Sequence, residues 1–394
     1  MKLMVIGNIG FDLMAPYLRH KGIETVLISI ARGDLHSRLA DKTYYFHACE
    51  DWEPLVKLAV KEKVDAVLSI SGPDHVNLRD GCVKEALEER HGIPVLANPL
   101  PAVSVAVDKM KTKEWLKSRG LPVPEGAPAA TVDEARRVAR DLGFPVVLKL
   151  PDQSGGLGLR VATGPSQING RLAKDMPVLV EKFVAGAEFS VEVLNHNGRS
   201  LPLLPVYKGH TDYDGLHPME RVKLAPAPLD PIDAARLRRL ARRIVADLNL
   251  QPTADVDIVW GADGPRVLEI NPRFGGVTAL SMAASGVPVY WALVDMVLGE
   301  WDPARYPIRR SWAADLPISA DIAAETIDEL LDTEGIFRVK LQKLKKTAGR
   351  VALRADSPRQ LLAAARRAAR LCGCNYDCYR ELRELVTVFK DRAV

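Results

Sequence analysis

Residues Val267 to Gly276 read VLEINPRFGG. In a strand, residues i, i+2 and i+4 point to one face. Glu269, Asn271 and Arg273 therefore share a face, and Ile270 turns the other way, toward a core. Asp257 precedes Glu269 by twelve residues, in ADVDIVW (254–260), with Asp255 facing the same way and a GADG turn between the segments. A hairpin brings Asp257 beside Glu269. Two carboxylates at that distance repel unless a cation sits between them. Two carboxylates and the Asn271 amide are hard oxygen ligands suited to magnesium, with phosphate oxygens and water completing the octahedron. Arg273 has the fork geometry for a phosphate or a carboxylate. The competing reading is a hairpin of solvated charges.

Two further segments carry chemistry. Lys149 ends the strand PVVLKL (145–150), and the loop after it holds Ser154, Gly155, Gly156, Leu157 and Gly158. Three glycines in four residues let backbone N–H groups approach an anion, and Lys149 supplies a cation. A hairpin turn with a surface lysine fits the same residues. No Gly-Lys-Ser/Thr follows, so this is not a Walker loop. The stretch VLVEKFVAGAEFSVEV (178–193) contains Glu181, Lys182, Phe183 and Val184, then Glu188 seven residues after Glu181. A segment between two lobes can offer backbone groups to a purine edge, and a carboxylate can take two ribose hydroxyls. A charged hairpin is the plainer reading. The three segments together ask for Mg-ATP.

The elements that must position these groups fall into three regions. Residues 1 to about 105 alternate apolar strands (3–7, 24–29, 64–71, 93–98) with helical patterns (11–20, 77–91), which predicts a parallel sheet with right-handed crossovers. Gly7-Asn8-Ile9-Gly10 lacks the full dinucleotide spacing and reads as a tight turn. Asp108 and Thr131 are N-caps for helices at about 108–119 and 132–142. From 145 to 275 strand signals dominate, interrupted by helices at about 165–174 and 231–248. This is an α+β region with largely antiparallel strands. After 300, a strand near 350–354 and a helix over 357–371 suggest a smaller module. The arginines 236, 238, 239, 242 and 243 lie on a helix with apolar partners and read as a solvated face.

Composition sets bounds. The 394 residues predict two or three domains. Hydrophobic content is 47%, charged content 26%, net charge +4 and pI about 8.7, without a polybasic tail, so no nucleic acid is implied. No apolar run approaches the roughly 18 residues that span a bilayer. The N-terminus reads as a strand and turn, not a signal peptide, so the expectation is a cytoplasmic protein with no membrane partner. Five cysteines form no even framework. Cys372, Cys374 and Cys378 do not match paired zinc-knuckle spacing.

In order, Asp108-Lys109 before a helix, strand Lys149, the glycine loop, Glu181-Lys182-Phe183-Val184, Glu188, Asp257 and Glu269-x-Asn271-x-Arg273 resemble the ATP-grasp superfamily. The resemblance covers about residues 1–300. It looks closest to the carbamoyl-phosphate-synthase and biotin-carboxylase-like branch, because Arg273 follows the metal asparagine by two. Asp255 stands where the D-alanine ligase branch places an arginine. The implied fold is α/β and α+β: an N-terminal Rossmann-like pre-ATP-grasp domain (1–105), an ATP-grasp domain (106–300, small lobe about 108–185, large lobe about 186–300) and a small C-terminal lobe (301–394).

By that resemblance, Lys109 and Lys149 bind phosphate oxygens and Ser154, Gly155, Gly156 and Gly158 close over the β- and γ-phosphates. Glu181, Lys182, Phe183 and Val184 surround adenine, with Glu188 on the ribose. Asp257, Glu269 and Asn271 hold magnesium, or manganese in its place, and Arg273 stabilises a phosphorylated carboxylate. The basic stretch 205–228 reaches the acceptor, and Arg221 and Lys223 are expected to contact the carboxylate substrate. The implied activity is an ADP-forming ligase that turns a small carboxylic acid, an amino acid in the leading reading, into an acyl phosphate and joins it to an amine. The alternatives are a bicarbonate-using carboxylase or carbamoyl-phosphate-type enzyme, and a non-catalytic ATP-binding regulator. A homodimer is the assembly implied by analogy.

Overall fold

A computed structural model describes residues 1–29, 35–46, 51–150, 159–211, 220–318, 323–341, 348–372 and 376–392. The glycine loop (Ser154, Gly155, Gly156, Gly158), His217, Cys49 and Cys374 lie outside the described residues.

The N-terminal region runs β1 (Lys2–Ile6), α1 (Phe11–His20), β2 (Glu24–Ser29), β3 (Lys42–Tyr45), α2 (Glu53–Glu62), β4 (Ala66–Ser69), α3 (Asp74–His91) and β5 (Val95–Leu96). All five strands are parallel, in the order β3-β2-β1-β4-β5. Met4, Ile6, Val26, Ile28 and Val67 pack on one side of this sheet, and Leu3, Val5, Leu27 and Leu68 on the other. A strand buried on both faces reads as a continuous apolar run, as 3–7 does.

The middle region opens with α4 (Leu100–Ala106) and α5 (Lys109–Ser118). The Asp108 carboxylate accepts from the N–H groups of Met110 and Lys111, at 2.9 and 3.1 Å, and so caps α5. Next come β6 (Gly126–Ala129), α6 (Val132–Leu142) behind the Thr131 cap, β7 (Val146–Lys149), β8 (Arg160–Ala162) and β9 (Val178–Lys182). These four strands form a sheet in the order β6-β9-β7-β8, and every pair is antiparallel. Residues 165–174, expected as one helix, are two 3-10 turns, Pro165–Gln167 and Gly170–Asp175. Gly164, Pro165, Asn169 and Gly170 interrupt the stretch too often for a continuous α-helix.

The remaining elements are β10 (Ala187–His196), β11 (Arg199–Pro202), β12 (Val206–His210), β13 (Lys223–Ala225), α7 (Pro231–Asp247), β14 (Thr253–Gly261), β15 (Gly264–Asn271), α8 (Thr278–Ser285), α9 (Val289–Val297), β16 (Trp312–Ile318), α10 (Ala324–Leu331), β17 (Ile336–Leu341), β18 (Gly349–Ala355), α11 (Pro358–Cys372) and α12 (Tyr376–Arg392). The stretch LPLLPVYK (201–208) is divided between β11 and β12, because Pro205 has no N–H to give a ladder. One antiparallel sheet runs β15-β14-β10-β12-β13-β16-β18-β17, with β11 added beside β10. The strands after residue 300 thus continue the sheet that carries Asp257 and Glu269.

α7 packs its Leu237, Ala241, Ile244 and Val245 into the core and turns Arg239, Arg242 and Arg243 outward, while the half-buried Arg238 donates to the Pro202 carbonyl at 2.7 Å, a departure from the expected solvated face. Arg236 lies 5.5 Å over the Trp260 ring. No single helix among the described residues is long and apolar enough to cross a membrane; α8 and α9 pass that test only as a pair bent by 95°.

The N-terminal sheet meets the rest of the chain at the Gly10 turn. Gly10 has φ of +73°, and a Cβ there would fall 2.0 Å from the Tyr290 ring of α9. Gly10→Ala is expected to cost about 1–3 kcal/mol through left-handed strain and overpacking, read as a lower midpoint in urea denaturation.

Candidate active site

The β14–β15 hairpin places Asp257 directly opposite Glu269 and Asp255 opposite Asn271. On the other side of β14, Ser190 of β10 pairs with Asp257, and Glu192 with Asp255. One face of the sheet therefore carries Glu188, Ser190, Glu192, Asp255, Asp257, Glu269 and Asn271. That charge density is met by cations from other elements. Lys109 Nζ, from the first turn of α5, lies 3.0 Å from Glu269 Oε1. Lys208 Nζ, from β12, lies 2.6 Å from Asp257 Oδ1. Burial pulls the Lys208 ammonium down, but Asp257 and Asp255 outweigh it and hold it above its ordinary value.

Further along the same face, two buried carboxyls behave differently. Burial, and then the Asp257 charge, push Asp255 up to about 6, while the Ser190 hydroxyl donates to it. Burial, and then Asp255, push Glu192 up to about 8; the Thr278 hydroxyl donates to its Oε1 at 3.1 Å. These two acids are structural underlay, away from solvent. Asp255 also accounts for one of the two glycines after Arg273, since a Cβ at Gly275 would fall 2.3 Å from its Oδ2.

A second cluster gathers around β9. Glu181 is 4% exposed and takes Lys113 Nζ at 2.5 Å and Lys149 Nζ at 2.6 Å. Burial alone would raise this carboxyl; the two ammonium groups reverse that and hold it below the usual range. Burial likewise pulls Lys149 down, and Glu181 overcomes it to hold the ammonium charged. Lys149 also reaches the Leu268 carbonyl at 3.4 Å, one residue from Glu269. Lys109, Lys113, Lys149, Glu181 and Glu269 line one small cavity. The Lys182 and Phe183 N–H groups donate to the carbonyls of Glu125 and Pro145, and Val184 packs on Gly261.

The third cluster lies toward the C-terminal strands. Glu188 Oε1 takes Arg221 Nη1 at 3.1 Å. Lys223 donates to the Gly276 carbonyl at 3.2 Å and stands 4.0 Å from Asp315. Arg350 of β18 takes the same Asp315 Oδ2 at 2.7 Å and donates to the Arg221 carbonyl. Arg273 Nε lies 2.7 Å from Asp74 of the N-terminal region, and its Nη2 reaches Asn271 Oδ1 at 3.4 Å. Lys109, Asp257, Glu269, Asn271 and Arg273 are thus brought together by hydrogen bonds and register, with Lys149 at their edge.

Lys113, Lys208, Asp315 and Arg350 were not among the sequence candidates for the site. Lys113 had a signal, since it falls one helical turn after Lys109. Asp315 and Arg350 had none: their strands are 35 residues apart and pair only in the folded sheet.

The residues fit magnesium. Two opposed carboxylates, each held by an ammonium group, form a site that needs positive charge, and the Asn271 amide adds a third hard oxygen. Among the described residues, no three His, Cys, Asp or Glu side chains gather around a metal position, so an all-protein cage is not built here.

A family model described as an ATP-grasp domain matches residues 106–277. The chain is 30% identical over 322 residues to a carbamoyl-phosphate synthase of Methanobrevibacter smithii, covering 81% of this chain and 87% of that protein. A carbamoyl phosphate synthase large chain of Hyperthermus butylicus is 29% identical over 299 residues, which is 72% of this chain but 27% of that longer one. Among solved structures, the biotin carboxylase domain dimer of the Hydrogenobacter thermophilus 2-oxoglutarate carboxylase, in complex with MgADP, ADP and bicarbonate, superposes with a TM-score of 0.74 at 18% identity, covering 99% of this chain and 94% of that one. The L-amino acid ligase from Bacillus licheniformis gives the same TM-score at 18% identity, covering 94% and 97%.

Lys223 makes the site's pH response testable. Burial, with Arg350 beside it, pulls its pKa down to about 7. The unfolded ammonium stays protonated up to about pH 10.4. Between those values the unfolded chain binds the extra proton, so this lysine makes the fold more stable as pH rises from about 7 toward 10. Lys223→Met is expected to be more stable than the parent at pH 6, with the advantage shrinking by pH 9, in urea denaturation at both pH values.

Proposed function

This chain belongs to the ATP-grasp superfamily, in the carbamoyl-phosphate-synthase and biotin-carboxylase-like branch, and from that premise we propose that it converts a small carboxylic acid, an amino acid in the reading we favour, into an acyl phosphate and joins it to an amine. It is an ATP-dependent, ADP-forming ligase that uses magnesium. One observation supports the assigned roles most directly: Asp257 and Glu269 face each other across a hairpin, Asn271 and Arg273 follow on the same face, and lysines from two other elements reach the acids.

A carboxylate that attacks an anionic γ-phosphate meets charge repulsion, which magnesium lowers when bound. In this proposal Asp257, Glu269 and Asn271 hold the metal. Lys109 turns from Glu269 to the phosphates, and Lys149, still held by Glu181, offers its remaining N–H groups to them. The Glu181 carboxylate anchors Lys149 and Lys113 so that neither ammonium wanders, which is positioning by a buried ion pair. Glu188 takes the ribose hydroxyls, and Arg221 faces the substrate. Lys182, Phe183 and Val184 lie beside adenine, and the loop Ser154 to Gly158 covers the phosphates. Arg273 and Lys223 stabilise the acyl phosphate, whose carbon the amine attacks as phosphate departs. The substrates are small molecules. We also propose a homodimer, as in the dimeric biotin carboxylase domain with the same fold.

A second reading has its own support. The 30% identical relative is a carbamoyl-phosphate synthase, and bicarbonate is the carboxylate this reading assigns to the site. ADP release with Mg-ATP, assayed with amino acids singly and in pairs and with bicarbonate, separates the two when products are weighed by mass spectrometry. A condensed product of summed mass less water supports the amide ligase. ADP release with bicarbonate alone supports the second reading.

Asp257→Asn and Glu269→Gln are each expected to lower kcat by 100-fold or more, about 2.7 kcal/mol of transition-state stabilisation, with thermal midpoints close to the parent. Unchanged ADP release in both variants would overturn the metal assignment.

A further inference from the structure

Lys223 sits on a thinly held strand. β13 is three residues long, and its ladder to β12 is a single pair, Tyr207 with Leu224. On its other side it pairs with β16, and Lys223 stands directly opposite Asp315. A lysine and an aspartate placed so would ordinarily close an ion pair. Here the contact stays long. Asp315 Oδ2 takes Arg350 Nε at 2.7 Å and leaves Lys223 Nζ at 4.0 Å. Arg350 Nη2 also donates to the Asp315 carbonyl at 2.9 Å and to the Arg221 carbonyl at 2.7 Å. One guanidinium thus holds both the acid opposite Lys223 and the backbone just before it.

The Lys223, Asp315 and Arg350 side chains are all buried. The shortest contact of Lys223 is to a neutral group, the Gly276 carbonyl at 3.2 Å. Gly276 lies in the turn that follows Arg273, so this contact ties Lys223 to the end of the row of expected metal residues. A buried ammonium without a close carboxylate is costly, and an arriving anion relieves that cost. The other charges around Lys223 are Lys208 of β12, which disfavours its charged form, and Asp257 of β14, which favours it. Glu381 of α12 acts on the neighbouring Arg221, and α8, which also packs on β13, carries no titratable side chain.

We propose that Arg350 and Asp315 are positioning residues for the acceptor side of the reaction: Arg350, by occupying Asp315 and the Arg221 carbonyl, keeps Lys223 from closing on Asp315 and leaves it available to the anionic substrate. Neither residue touches substrate; both act through Lys223 and the backbone beside it. This inference rests on the reading that Lys223 contacts the carboxylate substrate and its acyl phosphate, and goes beyond it by naming what keeps that lysine available.

The experiment uses the full chain with Mg-ATP and the acid that gives the highest ADP release among the twenty L-amino acids and bicarbonate. kcat/KM for that acid is followed from about pH 6 to 9 in the parent, Lys223→Met, Arg350→Met, Asp315→Asn and the Lys223→Met, Arg350→Met double variant. This ratio reports the free enzyme. Lys223 binds the anion as an ammonium, so kcat/KM falls as pH rises through its pKa, about 7 in the parent. Arg350 lowers the proton affinity of Lys223 and Asp315 raises it. The fall is therefore expected at higher pH in Arg350→Met and at lower pH in Asp315→Asn, opposite shifts that a general loss of structure does not produce. At pH 6 Arg350→Met is expected to lower kcat/KM about 10-fold, with KM for ATP within about 2-fold of the parent, and to cost about 3-fold or less once Lys223 is replaced. Should Arg350→Met fail to fold, Arg350→Gln, which keeps a donor without the charge, takes its place. Should no acid in the panel release ADP, the same two shifts are read from a carbon-13 NMR titration of lysine Cε, with the Lys223 signal identified by its loss in Lys223→Met. Unchanged pH midpoints in both variants, or equal losses from Arg350→Met with and without Lys223, would overturn the inference and leave the ligase reading standing. A Lys223→Met chain with the parent's kcat/KM would remove the role of Lys223 on which the inference rests.

Discussion

Two carboxylates cannot face each other across a hairpin without a compensating charge, and the rest of this site is arranged around that requirement. Asp257 and Glu269 occupy directly opposed positions in β14 and β15. Each is met by an ammonium group from elsewhere, Lys208 from β12 and Lys109 from α5. The cost of a like-charge pair falls with every cation nearby, which is why such a pair is a natural seat for a metal with phosphates. Further along the same face, Asp255 and Glu192 are driven toward their neutral forms by burial and then by a neighbouring carboxylate.

Charge also ties α5 to the four-stranded sheet. Glu181 sits on β9 of the four-stranded sheet, takes Lys149 from β7 beside it and Lys113 from α5, and lies in a cavity shared with Glu269 of the large sheet. An ion pair removed from water holds its geometry tightly, since loss of either partner strands a charge. The nine-stranded sheet ends in β15 on one edge and β17 on the other; Arg273, just past β15, meets Asp74 at the start of α3, and Arg338 of β17 meets Asp12 in α1.

Local patterns were legible where the period was clean. The parallel N-terminal sheet, the caps at Asp108 and Thr131, the β14–β15 hairpin and the helices α7 and α11 all follow from alternation, apolar runs and capping chemistry. Residues 165–174 did not, because a helical count of apolar positions ignored the glycines and proline that break it. Strands β16 and β17 gave weak signals: WAADLPI has an acid at its centre, and that acid, Asp315, is kept because Arg350 meets it from the neighbouring strand. Such a partner is invisible until the strands pair.

Sequence alone determined that a short turn joins the Asp257 and Glu269 strands; their direct facing also needs the β-bulge beside Asp257, since a regular ladder from the Gly261–Gly264 turn would set Asp257 against Leu268. It also determined the order of chemical groups by which the chain resembles its family. Only the tertiary structure decided which cation meets which acid. Lys208, Lys113, Arg350 and Asp74 come from elements far apart in the chain, and Coulomb attraction acts on distance in space, which the sequence does not record.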